Sequence, residues 1–344
     1  MPTLDPQNIR TLRQQHPDKR ARDFADQFGL AEAQLLAAHV GQGVTRISAD
    51  PDVLFPRLTD LGTVMALTRL DACVHEKVGV YDKYHSGPHA AMVLNDDIDL
   101  RIFPKYWHTA FAVDQNGKRS IQVFDAAGDA VHKIFLRDGS NHAAWETLVL
   151  ELALADQSQN QPVSPRVPTE PAKSRPERAD DLRADWQAMT DTHQFLSLVS
   201  RQKMNRLGAY RVAGAPFVRA LAPSSIATLL DRLGETHVPV MIFVGNRGCI
   251  QIHSGPVTNI KPMGPWLNVL DQGFNLHLRG DKVAEVWEVR KPTRRGEALS
   301  VEAFDADGGL ILQIFGHPKS DAPEAADWPK LVADLPDAKA VVCA

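Results

Sequence analysis

His193 is the residue whose type and setting most readily suggest chemistry, standing at the head of "THQFLSLVSRQKMNRLGAYR" (192–211) with Arg201, Lys203, Arg206 and Arg211 after it. If Thr190 or Asp191 caps a helix there, His193 falls in its first turn, where the positive end of the helix dipole favours the neutral imidazole that ligates iron. Read alone, the stretch suits an ordinary surface helix as well. Arg206 lies 13 residues further on. On a straight helix that is about 20 Å, within reach only of the edge of a large ligand. In "IDLRIFP" strand alternation puts Arg101 and Phe103 on one face and Leu100 and Ile102 on the other. An arginine beside an aromatic is either surface or, facing a cleft, an anion or ligand site.

Other clusters carry less. His85 and His89 of "HSGPH" are four apart, but Gly87-Pro88 between them excludes a shared helix face. Asp96, Asp97 and Asp99 read as a turn and a strand start. No GxGxxG, GxxxxGK[ST] or HExxH occurs, and no Ser-His-Asp order stands out.

The elements that must position these residues come in two similar series. "SIQVFDAAGDAVHKIF" (120–135) matches "SVEAFDADGGLILQIF" (300–315), while "DLRIF" answers "NLHLR" and "YHSGP" answers "IHSGP" in the same order. Ordered matches with drifting offsets are the mark of a duplicated domain. Each copy reads as helices first, from the periodic run 20–40 in the first copy and two helices around Thr190-Asp191 in the second, then alternating strands with turns such as Asn116-Gly117 and Gly128-Asp129. The expected fold is α+β: an internal duplication of a helices-plus-antiparallel-sheet domain. Between the copies, 156–180 holds Pro162, Pro165, Pro168, Pro171 and Pro176 among polar residues, a composition for an extended linker. The expected division is therefore 1–155, 156–180 and 181–344.

Composition bounds the function. The 344 residues are 44% hydrophobic and 23% charged with a net charge of −4, which suits a soluble globular protein and gives no reason to expect a nucleic-acid partner. No apolar run approaches the roughly 20 residues of a membrane span, and the N-terminal stretch has no signal-peptide core. Cys73, Cys249 and Cys343 are too few and too dispersed for a disulfide framework or a metal pair. A cytoplasmic protein is expected.

"MTDTHQFLSLVSRQKMNRLGAYR", "MIFVGNRGCIQIHSGPVTNIKPMGPWLNVLDQGFNLHLR", "VWEVRKPT", "LGTVMALTRLDACVHEKVGVYDKY" and "IDLRIFPKYW" together closely resemble the bacterial cytoplasmic hemin-degrading and heme-trafficking proteins of the HemS/ChuS/HmuS type. The resemblance covers nearly the whole chain outside 156–180. It implies a heme cleft lined by both halves, with His193 as the axial iron ligand and Arg101 and Phe103 on the distal side, Arg101 being the candidate catalytic cation. It also implies Phe243 beside them and Arg206, Lys291, Gln313 and Phe315 near the propionates and porphyrin edge. Many members have tyrosine where this chain has Phe315. Members commonly carry a propionate-binding arginine after "QIFG", where this chain reads His317-Pro318-Lys319, with Lys319 as a less geometric substitute.

The function so implied is oxidative opening of heme and release of iron with electrons from outside, since no flavin or nicotinamide motif is visible. The alternative is a chaperone that takes heme from an inner-membrane importer and passes it to a separate heme oxygenase.

Overall fold

The computed structural model describes residues 5–115, 117–317 and 323–338, so Asn116, Lys319 and Cys343 lie outside it. The chain forms two compact units. The first comprises residues up to Arg69, His75–Val167 and Gly245–Ile252; the second comprises Leu70–Val74, Pro168–Val244 and the chain from His253 onward.

In the first unit, helix Pro6–Gln15 starts on an Asp5 cap whose side chain accepts from the Asn8 amide, with Pro6 in the first turn. The run 20–40, with its helical apolar spacing, folds as two helices, Ala21–Gln27 and Glu32–Ala37, because Gly29 turns the backbone at φ 66°. Five antiparallel strands follow the order Val44–Ile47, Thr109–Gln115, Lys118–Phe124, Ala130–Ser140, Gly62–Arg69. A smaller antiparallel set joins residues 249–252 to Asp99–Ile102, Ala91–Leu94 and Tyr84–His85. The core collects Phe55, Leu58, Leu100, Ile102, Ile121 and Ile134, all at most 1% exposed.

The second unit repeats the plan. Helices Ala179–Gln187, Gln194–Arg201 and Arg206–Ala213 precede strands Val218–Leu221, Glu285–Thr293, Gly296–Phe304, Leu310–Gly316 and Val240–Gly245, paired antiparallel in that order. Both sheets carry a register shift at the same place, between Val123 and Phe124 and between Ala303 and Phe304. The turn that follows is the same in both. Asp125 accepts the amides of Ala127 and Asp129, and Asp305 accepts those of Asp307 and Gly309. Gly128 (φ 77°) and Gly308 (φ 88°) supply the left-handed residue that such a turn requires.

The proline-rich stretch is extended, as its composition implies, but it is pinned. Arg46 alone gathers Gln157, Ser158, Asn160 and Gln161 through bonds of 2.7 to 2.8 Å. Further on, Lys173 donates its amide to Asn205 at 2.9 Å, and its carbonyl lies where a Cβ on Gly208 would come within 1.9 Å. Helical structure resumes at Pro176–Arg178 and Ala179, slightly inside the stretch expected to be linker.

Candidate functional site

The break between Ala179–Gln187 and Gln194–Arg201 is where His193 sits. It occupies the N-cap position and not the first turn, because the chain ahead of it is tied down by other bonds. The Gln194 carboxamide oxygen accepts the amides of Thr190 and Asp191, and the Thr190 carbonyl accepts the Arg294 amide at 3.0 Å. Asp191 then takes two hydrogens from His193, one from the backbone at 2.8 Å and one from Nδ1 at 2.6 Å. These two bonds, the backbone one first, hold the Asp191 carboxyl below the usual carboxylate range. With Nδ1 donating to a carboxylate, the lone pair of the ring is left on Nε2. The His193 side chain is 93% exposed, so that nitrogen is open to a ligand.

Beside it lies a pocket of about 410 Å³, lined among others by Asp185, Met189, His193, Ser197 and Arg201. Such a volume falls within the range of ligand pockets, roughly 300–1,000 Å³. The other face of the same helix is apolar: Phe195 packs edge-on against Trp186 at 4.7 Å and lies tilted against Tyr210 at 5.6 Å.

Under Phe195 is a buried charge cluster. Lys291 Nζ lies 4.8 Å from the Phe195 ring centre and the Arg206 guanidinium 5.7 Å. Glu302, fully buried, accepts from Lys291 at 2.8 Å, Tyr210 at 2.8 Å, Ser300 at 3.0 Å and Arg206 at 3.1 Å. Burial alone would raise the Glu302 pKa, but Lys291 and Arg206 overcome it and hold the carboxyl at about 2. Burial lowers the Lys291 pKa, against which Glu302 works. Two cations thus share one internal carboxylate. The carboxylate that faces Lys291, itself 2% exposed, belongs to the protein.

Sheet register assembles the remaining residues of this unit. Across neighbouring strands Glu302 pairs with Gln313, and Gln313 pairs with Phe243, so the three form one row. Phe315, two residues on from Gln313, meets Phe243 edge-on with ring centres 5.3 Å apart. Phe243, Lys291, Gln313 and Phe315 therefore belong to one sheet, and Arg206 reaches its Glu302 from a helix. His193 is connected to them through Phe195.

Arg101 and Phe103 belong to the first unit. Leu100 and Ile102 are fully buried while Asp99, Arg101 and Phe103 are half-buried, the alternation expected of the strand. Arg101 is ion-paired to Asp99, whose pKa burial raises against the pull of that arginine. His85 and His89 are both exposed. Sequence reasoning named Asp191 only as a possible cap, not as the partner of the His193 ring, and missed Tyr210 and Glu302. Asp191 could have been found from its place two residues before His193, whereas nothing local marks a strand glutamate as the hub of a buried cluster.

Among the described residues no three His, Cys, Asp or Glu side chains converge on a metal position, and no helix is long and apolar enough to cross a membrane. Comparison with known proteins places the chain in a family. The model of the "haemin-degrading HemS.ChuX domain" matches twice, at residues 29–152 and 203–335. The hemin transport protein HmuS of Yersinia pestis is 37% identical over 330 residues, 93% of this chain and 94% of that protein. Among solved structures, holo-PhuS, a heme-binding protein from Pseudomonas aeruginosa, is 40% identical with a TM-score of 0.91, covering 97% of this chain and 100% of that one. The E. coli heme oxygenase ChuS is 32% identical with a TM-score of 0.85, covering 95% and 99%.

Proposed function

The chain belongs to the family of haemin-degrading HemS.ChuX proteins, and on that premise we propose that it binds heme at His193 and opens the ring oxidatively, releasing iron. The observation that carries the reading is the His193 imidazole, held through Nδ1 by Asp191 with Nε2 open to a ligand. An axial histidine whose other nitrogen is bonded to a carboxylate is a stronger and better oriented iron ligand. The residues fit the rest of the group. Arg206 and Lys291 carry two positive charges against the single carboxylate of Glu302, leaving one in excess for a propionate, while Phe243 and Phe315 offer ring surface. Heme, when bound, supplies the iron and macrocycle on which the oxidation takes place.

The protein's own part is to bind, orient and place charge. His193 would be the metal ligand, Arg206 and Gln313 the polar edge contacts with Lys291 adding its charge from the buried cluster behind them, and Phe243 and Phe315 the apolar wall. Arg101 and Phe103 keep their proposed distal roles, with Arg101 as the catalytic cation. In this reading 1–155 and 181–344 act as the two repeats, the second carrying the histidine that would hold the iron, with 156–180 joining them. A cytoplasmic setting, an external electron donor, and delivery of heme by an inner-membrane importer complete the reading.

The test is to incubate the protein with hemin and a controlled electron supply in the presence of catalase, following the Soret band and the mass of the product. A ring-opened product with iron released supports the enzyme. Intact heme that passes to a separate heme oxygenase replaces it with the chaperone.

A further inference from the structure

Both units contain a buried cluster of two cations and one carboxylate, built from different residues. In the second unit the carboxylate is Glu302, on the strand, and Arg206 reaches it from the first position of helix Arg206–Ala213. In the first unit the corresponding cross-strand pair is Gln122 and Lys133, so the strand carries the cation. The carboxylate there is Glu32, at the first position of helix Glu32–Ala37, and it takes Lys133 at 2.6 Å and Arg69 as well.

The two clusters differ in how completely they are satisfied. Around Glu302 the hydroxyls of Tyr210 and Ser300 add bonds. Around Glu32 the Nε of Arg69 is buried with no acceptor among the described residues. A buried cation beyond what its partner neutralises, and a buried N–H with nothing to bond, both raise the energy of the empty cluster. Arg22, itself paired with Asp26 at 3.4 Å, adds a positive field to Lys133 and Arg69. Of the acidic groups around them, Asp26 and Asp129 are engaged by Arg166, and Asp23 on helix Ala21–Gln27 is exposed. Burial, and then the like charges of Arg69 and Arg22, push the Lys133 pKa well down, while burial and Arg22 bring that of Arg69 to about 10. The Arg69 and Lys133 side chains are 17% and 10% exposed, so the cluster reaches the surface.

We propose that the first unit holds an oxyanion site of its own at Arg69 and Lys133, taking a singly charged carboxylate or phosphoryl oxygen without any metal ligand. A small shift of the Arg69 side chain, 17% exposed, would turn its buried, unbonded Nε–H to the incoming oxygen, and the anion would neutralise the cation that Glu32 leaves over. The histidine of the second unit has no counterpart here: the N-cap residue of helix Ala21–Gln27, the middle of the three opening helices, is Arg20. The site is thus independent of the heme reading.

It is tested on the heme-free full-length protein by thermal unfolding at constant ionic strength, with chloride replaced stepwise by acetate in one arm and inorganic phosphate in the other. Wild type should rise in Tm with the anion, and the arm that responds identifies carboxylate or phosphoryl recognition. His193→Ala should respond as wild type does, and Arg69→Gln should lose the response. Glu32→Gln removes the competing carboxylate, so its half-saturating anion concentration should fall at least tenfold. A wild type indifferent to both anions overturns the proposal, as does an Arg69→Gln protein that responds like wild type. If Arg69→Gln does not fold, Glu32→Gln decides: no tightening overturns the site.

Discussion

Asp191 grips His193 twice, by the backbone amide at 2.8 Å and by ring Nδ1 at 2.6 Å, so one carboxylate sets both the position of the imidazole and the nitrogen it presents. Asp191→Asn should therefore weaken heme binding by about 10- to 100-fold, the usual cost of losing a carboxylate behind a ligating histidine. The iron reduction potential should rise, since a less basic imidazole stabilises ferric iron less. Hemin titration and spectroelectrochemistry measure both. Unchanged affinity and potential would remove the role given to Asp191.

His193→Ala should separate ligation from folding. The side chain is 93% exposed, and surface substitutions typically change stability by within about 0.5 kcal/mol, so the melting temperature should barely move. The Soret band of the hemin complex should shift and affinity fall, with some binding kept by apolar contacts and charge pairing.

Glu302→Gln should strike stability hard. It strands two cations that now share one buried carboxylate, and breaking such a pair costs about 3–5 kcal/mol. The pH dependence has a definite sign. The folded pKa of about 2 lies below the unfolded value, so the contribution is fully present above pH 4.5 and is lost as pH falls toward 2. Urea unfolding between pH 6 and pH 2 should therefore be steeper in wild type than in Glu302→Gln.

Gly208→Ala should destabilise, although alanine is usually better than glycine in a helix by about 1 kcal/mol. The new methyl carbon would fall 1.9 Å from the Lys173 carbonyl oxygen, so the pinned stretch must move. Faster proteolysis around 168–175 together with a lower Tm is the expected result, and a higher Tm would contradict the close approach.

Cys73 and Cys249 should not react with a thiol reagent until the protein unfolds. Both are fully buried, and burial pushes their thiols up, that of Cys249 to about 12. Reaction of either thiol at the rate of a free cysteine in native buffer would contradict this burial.

The duplication was legible because a shared turn needs the same residues twice: Asp125 and Asp305 accept the same pair of amides, and Gly128 and Gly308 take the same left-handed conformation. Strand alternation around Arg101 was legible for the same local reason. The break at Gly29 was not, since apolar spacing continues across it and only the backbone reveals the turn. Nor was the Glu302 cluster legible, because its members come from one helix (206, 210) and two strands (291; 300, 302) that only tertiary packing brings together. Composition identified the proline-rich stretch as extended but gave no sign that Arg46 would fasten it.

The exchange of sign between helix and strand also limits how the repeats can be recombined. Helix Glu32–Ala37 transplanted into the second unit would set Glu32 against Glu302, and the reverse graft would bring Arg206 to Lys133. Each chimera would bury like charges together. No single substitution converts one arrangement into the other without passing through such a clash or an unpaired ion. Since their common ancestor, the two halves have become mutually non-interchangeable parts, and a family tree built from either half alone should record that separation as a paired change at helix and strand.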